Sequence, residues 1–245
     1  MEQIDNLSLS VFEIRSIKRR MQIVPGMAMK PEIAKRIEDS GLVAVLIVEN
    51  IAHALPVAQA LLHGGVDCLE LTLRTPAAME AAGLIKRTFP EICLGLGTVL
   101  TIDQVGKVAD LGVDFAMSPG CNPGIIREAK AKGLSFAPGV MTPSDIENAL
   151  EQGCRVLKYF PASTAGGLDH LKNLSAPYKH LGLRFIPLGG LGPGNAEAYL
   201  KSDVVAAIGG SWLARKELMD GGRWDLITSN AKQIRTLIEE TRNKE

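Results

Sequence analysis

A lysine interrupts an otherwise apolar stretch of the sequence, immediately before Tyr159, Phe160 and a proline. Because a buried ammonium group is costly unless it is paired, Lys158 is expected to be partly available as a neutral amine. Such an amine can attack a ketone and form a Schiff base. The alternative is a lysine whose stem crosses the core while its head reaches solvent or a structural carboxylate. Lys158 is therefore a candidate nucleophile or a structural cation.

Glu70, Thr72 and Arg74 alternate with leucines in a second apolar stretch. A period of two sends the three side chains to the same side of a strand. A carboxylate that shares a confined site with an amine can act as general acid and base, and an arginine offers a planar fork to a substrate carboxylate. The alternative is a buried ion pair, Glu70 with Lys158 or Arg74, that only fixes the fold.

Glycines follow several of the apolar stretches. In Gly95-Leu-Gly97-Thr98, the two small residues would let a ligand approach the backbone while the Thr98 hydroxyl donates to an oxygen. Two later stretches end in glycine pairs, Gly189-Gly190 and Gly209-Gly210, and the second pair is followed by Ser211. Backbone amides in such loops can hold a phosphate. Tight turns alone would explain one pair easily but two pairs poorly.

Alternating strands and helices must position these residues. Short apolar runs predict eight strands, and the amphipathic segments between them predict helices. The predicted strands are Leu42–Val48, Val66–Thr72, Ile92–Gly97, Val113–Ser118, Leu134–Pro138, Arg155–Phe160, Arg184–Gly189 and Val204–Gly209. The predicted helices include Ile51–His63, Pro76–Arg87, Ile102–Leu111, Pro123–Lys132 and Pro143–Gln152. Parallel strands need crossovers that cover the sheet, so the pattern predicts an α/β fold of the (β/α)8 TIM-barrel type, with working residues at the carboxyl ends of the strands. A doubly wound sheet is the competitor, but the first strand lacks the GxGxxG turn of a dinucleotide site.

The amino-terminal segment is a separate feature. We predict a helical extension over residues 1–40, packed on a barrel that spans residues 41–245. The extension carries a basic stretch at Arg15–Arg20 and a helical pattern at Pro31–Ser40. A helix that closes the bottom of the barrel is favoured over a nucleic-acid-binding arm.

Composition narrows the class of partner. The 27 basic and 27 acidic side chains cancel, so nothing global draws the chain to nucleic acid or to anionic lipid. No apolar run reaches the ~18 residues of a membrane span. The four cysteines and four histidines are too scattered for a zinc site, and unpaired thiols fit a reduced cytoplasm. We predict a soluble cytoplasmic protein without a metal or cofactor.

Taken together, the motifs resemble one family. They are Glu70-Leu-Thr-Leu-Arg74-Thr-Pro, Gly95-Leu-Gly-Thr98-Val, Ser118-Pro-Gly, Lys158-Tyr-Phe-Pro-Ala, Pro187-Leu-Gly-Gly190 and Gly209-Gly-Ser-Trp212. In this order they are similar to the 2-keto-3-deoxy-6-phosphogluconate (KDPG) and 4-hydroxy-2-oxoglutarate aldolases. The resemblance implies a (β/α)8 barrel, a homotrimer, and a metal-free class I aldolase of the Entner–Doudoroff pathway that yields pyruvate and an aldehyde such as glyceraldehyde 3-phosphate.

The resemblance also implies a role for individual residues. The Schiff-base lysine falls on Lys158 and the general acid and base on Glu70. Arg74 and Thr98 would bind the carboxylate of the 2-oxo acid. The remaining contacts are a pyruvate pocket lined by Pro119 and Phe160 and a phosphate site at Gly189, Gly190 and Ser211.

Leu188 departs from the pattern. Enzymes of the family that act on the gluconate compound commonly carry threonine at this position, whereas those that act on the galactonate epimer carry an aliphatic residue. A leucine cannot donate a hydrogen bond to a substrate hydroxyl, so the preferred epimer at C4 stays open. Two other functions also stay open: a sugar-phosphate isomerase or epimerase with Glu70 as its base, and a barrel that binds phosphorylated metabolites without catalysis.

Overall fold

The computed structural model describes residues 28–242 and shows an α/β fold in which every strand pairing is parallel. The strands are β1 Leu42–Leu46, β2 Cys68–Thr72, β3 Cys93–Gly97, β4 Phe115–Met117, β5 Ser135–Ala137, β6 Gly139–Val140, β7 Val156–Tyr159, β8 Arg184–Pro187 and β9 Ile208–Gly210. The α-helices are α1 Pro31–Ser40, α2 Ala54–His63, α3 Ala78–Thr88, α4 Ile102–Asp110, α5 Pro123–Ala131, α6 Pro143–Glu151, α7 Gly167–Ser175, α8 Ala196–Leu200, α9 Lys216–Asp220 and α10 Trp224–Arg242. Short 3-10 helices occupy Ile51–His53, Ala176–Leu181 and Trp212–Ala214.

The strands form two parallel sheets, which isolated bridges connect. One sheet has the order β5-β4-β3-β2-β1-β9, and the other has the order β6-β7-β8. Two isolated bridges, between Phe185 and Val205 and between Leu188 and Gly209, join β8 to the segment that carries β9. Most successive strands are connected by a helix, as parallel pairing requires. The carboxyl ends of the strands therefore share one edge.

Each predicted strand is present, and most are shorter than predicted. The fifth predicted strand ends at Pro138, where the chain passes from β5 into β6. Proline has no N–H to give to a ladder, but its carbonyl accepts a hydrogen bond from the Lys158 backbone N–H at 2.9 Å. The last strand begins later than predicted, at Ile208, because Val204 lies in a turn and Val205 forms only an isolated bridge.

Helices begin and end at capping residues of the kinds that the sequence predicted. The Asn122 side chain accepts backbone N–H bonds at the start of α5, and Thr142 forms a reciprocal capping box with Asp145 at the start of α6. Gly133 and Gly153 follow these two helices with φ angles of 65° and 83°, a left-handed conformation that glycine adopts without strain. Local signals thus mark where these two helices begin and end.

Helix α1 lies at the amino-terminal end of the strands. Its buried Ile37 packs with Cys68 and Cys93, the first residues of β2 and β3. The Lys30 N–H donates to Ser135 Oγ at 3.2 Å, at the start of β5. Helix α1 therefore packs against the first residues of β2, β3 and β5. The basic stretch predicted at Arg15–Arg20 lies outside the described residues, and the division into two parts stays a prediction.

Candidate active site

A cavity of about 300 Å³ opens at the carboxyl edge of the strands. All nine residues that the sequence predicted for the site line it, namely Glu70, Arg74, Thr98, Pro119, Lys158, Phe160, Gly189, Gly190 and Ser211. They come from six separate strands or the loops that follow them, so the fold brings together residues spread over more than half of the chain.

Lys158 and Glu70 meet at the base of this cavity. Lys158 Nζ lies 3.2 Å from Glu70 Oε1, and the two residues are only 6% and 0% exposed. The Lys158 ammonium also lies over the Phe160 ring, 5.4 Å from its centroid. An amine and a carboxylate in this arrangement can exchange a proton directly. The two side chains are thus direct neighbours, and both line the cavity.

The space for the Glu70 carboxylate comes from a missing side chain. A Cβ atom at Gly97 would lie 1.5 Å from Glu70 Oε1, and a Cβ atom at Gly95 would lie 2.2 Å from the Phe115 ring. The expectation that these two glycines let a ligand approach the backbone is therefore wrong. They make room for protein side chains, because β3 pairs with β2 on one side and β4 on the other.

Two buried oxygen atoms face the cavity residues without a protein partner. Within the described part of the chain, Glu70 Oε2 and Thr72 Oγ1 have no hydrogen-bond partner, although both atoms are inaccessible to solvent. Thr72 also lines the cavity. Since buried polar groups are nearly always paired, these atoms are suited to a bound water or a substrate hydroxyl. Thr72 shares the period-two pattern of Glu70, and that pattern is the signal that marks it.

Arg74 and Thr98 stand nearer the mouth. Arg74 is exposed, and it continues the β2 side of the cavity beyond Thr72. Thr98 is half-buried and has a φ of 62°, an uncommon backbone conformation for a β-branched residue. Strain of this kind is often found where a side chain has to face a ligand. The predicted carboxylate-binding pair therefore lies above the predicted reacting pair.

Both glycine pairs line the cavity. Gly189 and Gly190 have φ angles of 97° and 77°, a left-handed conformation that glycine adopts without strain. A Cβ atom at Gly209 would lie 2.4 Å from Leu188, and one at Gly210 would lie 1.6 Å from the Trp212 ring. The second pair therefore also makes room for side chains, which the interpretation of both pairs as phosphate loops did not include.

Sequence reasoning missed two apolar residues of the cavity wall, Val45 and Leu191. Leu188, which the sequence singled out, also lines the cavity and is 3% exposed. Apolar residues at strand ends carry no signal that separates them from the core. Only the geometry reveals their position.

Other reactive groups lie away from this chemistry. The four cysteines are free thiols, and burial raises the pKa of Cys154 to about 12. A hydrogen bond with Cys93 is the main cause that raises the pKa of Cys68. Over residues 28–242 no group of three or more His, Cys, Asp or Glu side chains is arranged to hold a metal ion. No helix in that range is long and apolar enough to cross a bilayer.

Comparison with known proteins gives consistent matches. The family model for KDPG and KHG aldolase matches residues 33–230. The KHG/KDPG aldolase of Escherichia coli K12 is 37% identical over 192 residues, which cover 78% of this chain and 89% of that protein. A Legionella pneumophila KDPG aldolase structure, with pyruvate captured as a covalent carbinolamine, is similar with a TM-score of 0.78 and 35% identity, covering 82% of this chain and 97% of that one. A Zymomonas mobilis KDPG aldolase structure with 3-phosphoglycerate has a TM-score of 0.77 and 35% identity, over 82% and 93% of the two chains.

Proposed function

The chain belongs to the KDPG and KHG aldolase family, and we propose that Lys158 and Glu70 are its reacting pair. It is a class I aldolase, a carbon–carbon lyase that cleaves KDPG to pyruvate and glyceraldehyde 3-phosphate. The observation that supports the assignment of the residues is the 3.2 Å contact between Lys158 Nζ and Glu70 Oε1 at the base of an open cavity.

The first half of the reaction forms the imine. Glu70 takes a proton from the Lys158 ammonium, and the resulting amine attacks the C2 ketone of the 2-oxo acid. The carbinolamine then loses water, with Glu70 as the proton donor, and an iminium remains. The substrate carboxylate is held by Arg74 and Thr98 at the mouth, which leaves the ketone carbon nearest the base of the cavity.

The second half breaks the bond between C3 and C4. Glu70, again a carboxylate, removes the proton of the C4 hydroxyl, and the electron pair of the C3–C4 bond moves to the iminium nitrogen. An aldehyde and an enamine result. Protonation of the enamine at C3 and hydrolysis of the iminium release pyruvate and restore Lys158. The unpartnered Glu70 Oε2 and Thr72 Oγ1 are suited to hold the hydroxyl or water that takes part in these transfers.

We place the phosphate of the substrate beside the loops that follow β8 and β9. Gly189, Gly190 and Ser211 are its proposed contacts, and Pro119 and Phe160 form the walls beside the pyruvate unit. Anchoring the phosphate holds the reacting carbons in register with Lys158.

The proposal includes the closure of the fold. We infer that the two sheets form one (β/α)8 barrel, since two bridges join β8 to the β9 segment and only Pro138 separates β5 from β6.

We also propose a homotrimer. Leu100 and Ile102, which are 52% and 58% exposed, are large apolar side chains available for contact between subunits. Sedimentation equilibrium tests the trimer.

A coupled assay tests the function. Release of pyruvate is followed with lactate dehydrogenase on KDPG, on its C4 epimer and on 4-hydroxy-2-oxoglutarate. We expect release of pyruvate from KDPG, whichever C4 epimer is preferred, and none after Lys158→Met. An isomerase or a binding protein would release no pyruvate from any of the three compounds.

A further inference from the structure

The loop after β7 holds the glycine turn after β8 in one conformation. The Ser163 N–H donates to the Gly189 carbonyl at 2.9 Å, and Ser163 Oγ donates to the Gly190 carbonyl at 2.8 Å. Asn195 Nδ2 donates to the same Gly190 carbonyl at 3.1 Å, while its Oδ1 accepts from the Gly192 N–H at 2.9 Å. Both glycine carbonyls are thus fixed from outside the catalytic cavity, since neither Ser163 nor Asn195 lines it.

Fixing a carbonyl also fixes the amide that follows it. A trans peptide is planar, and its C=O and N–H point in opposite directions. The N–H of Gly190 therefore points away from Ser163, and the N–H of Leu191 points away from Ser163 and Asn195. Within residues 28–242 neither of these two N–H groups donates to a protein acceptor. Both residues line the cavity.

The turn cannot hold this form by its own preference alone. Gly189 and Gly190 both have positive φ angles. Glycine can adopt many other backbone conformations, and it loses more conformational entropy on ordering than any other residue. The contact is also close: a Cβ atom at Gly190 would lie 2.6 Å from Ser163 Oγ. The hydrogen bonds from the neighbouring loop select one arrangement out of these alternatives.

From these contacts we propose that Ser163 and Asn195 are positioning residues, which aim the amides of Gly190 and Leu191 at the substrate phosphate. They touch the carbonyls and not the ligand. The proposal rests on the proposed function, since it assigns the geometry of the phosphate end of that same cavity. It adds the Leu191 amide to the phosphate contacts, a group that the sequence did not mark.

The test separates phosphate binding from imine chemistry. The double variant Ser163→Ala/Asn195→Ala is compared with wild type in three measurements: the KM for KDPG, inhibition by inorganic phosphate, and exchange of the pyruvate methyl protons in D2O. Exchange needs Lys158 but no phosphate. We expect the KM and the phosphate inhibition constant to rise roughly 10- to 100-fold, the effect of misaligned hydrogen bonds to a charged group, with exchange within about twofold of wild type.

Three further variants sharpen the result. Ser163→Thr keeps the hydroxyl and is expected to behave as wild type. Thr164→Ala is the matched control, because the Thr164 hydroxyl donates to the Pro161 carbonyl at 3.5 Å and not to the glycine turn. Asn195→Asp keeps the acceptor for Gly192 and removes the donor to Gly190, so it is expected to weaken phosphate binding even if the double variant folds poorly.

The outcomes are distinct. An unchanged phosphate inhibition constant in both the double variant and Asn195→Asp overturns the proposal, and so does a loss of pyruvate exchange that parallels the rise in KM. Absence of both KDPG cleavage and pyruvate exchange in the wild-type protein contradicts the proposed function instead.

Discussion

Glu70 occupies the space that a side chain at Gly97 would fill. The Cβ position at Gly97 lies 1.5 Å from Glu70 Oε1, the same oxygen that contacts Lys158 Nζ. The conformation of the acid is therefore set by the absence of an atom on the neighbouring strand. A substitution at Gly97 therefore acts on the chemistry without replacing either reacting residue.

Gly97→Ala tests this relationship. The added methyl group has to push the Glu70 carboxylate away from Lys158, so we expect kcat to fall by roughly the 10²-fold or more that a positioned general base contributes. The measurement is steady-state release of pyruvate. Gly106→Ala is the matched control, since nothing lies within 4 Å of a Cβ atom at Gly106 in helix α4 and the change should leave activity intact. Equal activity of both variants would refute the steric argument.

Glu70→Gln separates shape from proton transfer. The amide fills the same space but cannot accept a proton from Lys158 or from the C4 hydroxyl. We expect kcat to drop roughly 10²- to 10⁴-fold, with a much smaller change in KM, because Arg74 and the glycine turn still bind the substrate. Steady-state kinetics on KDPG are the readout. A variant that retains more than about a tenth of the wild-type kcat would exclude Glu70 as the base.

Much of this site was predictable from the sequence because the polar residues interrupt apolar strands. Lys158, Glu70 and Arg74 could be placed at one edge from strand periodicity and the parallel arrangement alone. The role of Gly97 could not, since it depends on the pairing of β2 with β3. The contact of Gly209 with Leu188 and the hydrogen bonds of Ser163 likewise depend on how separate segments pack. A sequence pattern does not contain the distances between those segments.

The fold was likewise predictable from the sequence only in part. Helix boundaries were predictable where a cap such as Thr142 or a glycine such as Gly153 ends the pattern. The break between β5 and β6 was not foreseen, because Pro138 looks like the end of one strand and not like a junction between two sheets. Residues that line a wall by virtue of shape, such as Val45, gave no signal at all.

Leu188→Thr tests the control of specificity at C4. Leu188 is buried beside Gly189 in the cavity wall, and a threonine would offer a hydroxyl to the substrate at that point. We expect the ratio of kcat/KM for KDPG over its C4 epimer to rise roughly 10-fold, the discrimination that one added hydrogen bond can provide. Leu188→Val is the control, since valine has the shape of threonine without the hydroxyl. The same ratio in both variants would mean that volume, and not hydrogen bonding, sets the preference.

Arg74→Lys tests recognition of the carboxylate. Lysine keeps the charge but loses the planar fork that matches a carboxylate in a bidentate manner. We expect the KM for KDPG and the half-saturation of pyruvate exchange to rise together by roughly 10-fold. Arg127→Lys, at an exposed position on helix α5, is the control for a change of the same type away from the cavity. If only the KM for KDPG rises, Arg74 binds the phosphate end and not the carboxylate.

Reduction of the protein in the presence of pyruvate tests the central claim most directly. Borohydride converts an imine to a stable secondary amine, so mass spectrometry of the digested protein locates the residue that formed it. We predict a pyruvate-derived mass on the peptide that contains Lys158, and none in Lys158→Met. An unmodified wild-type protein, or a modified Lys158→Met protein, would contradict it.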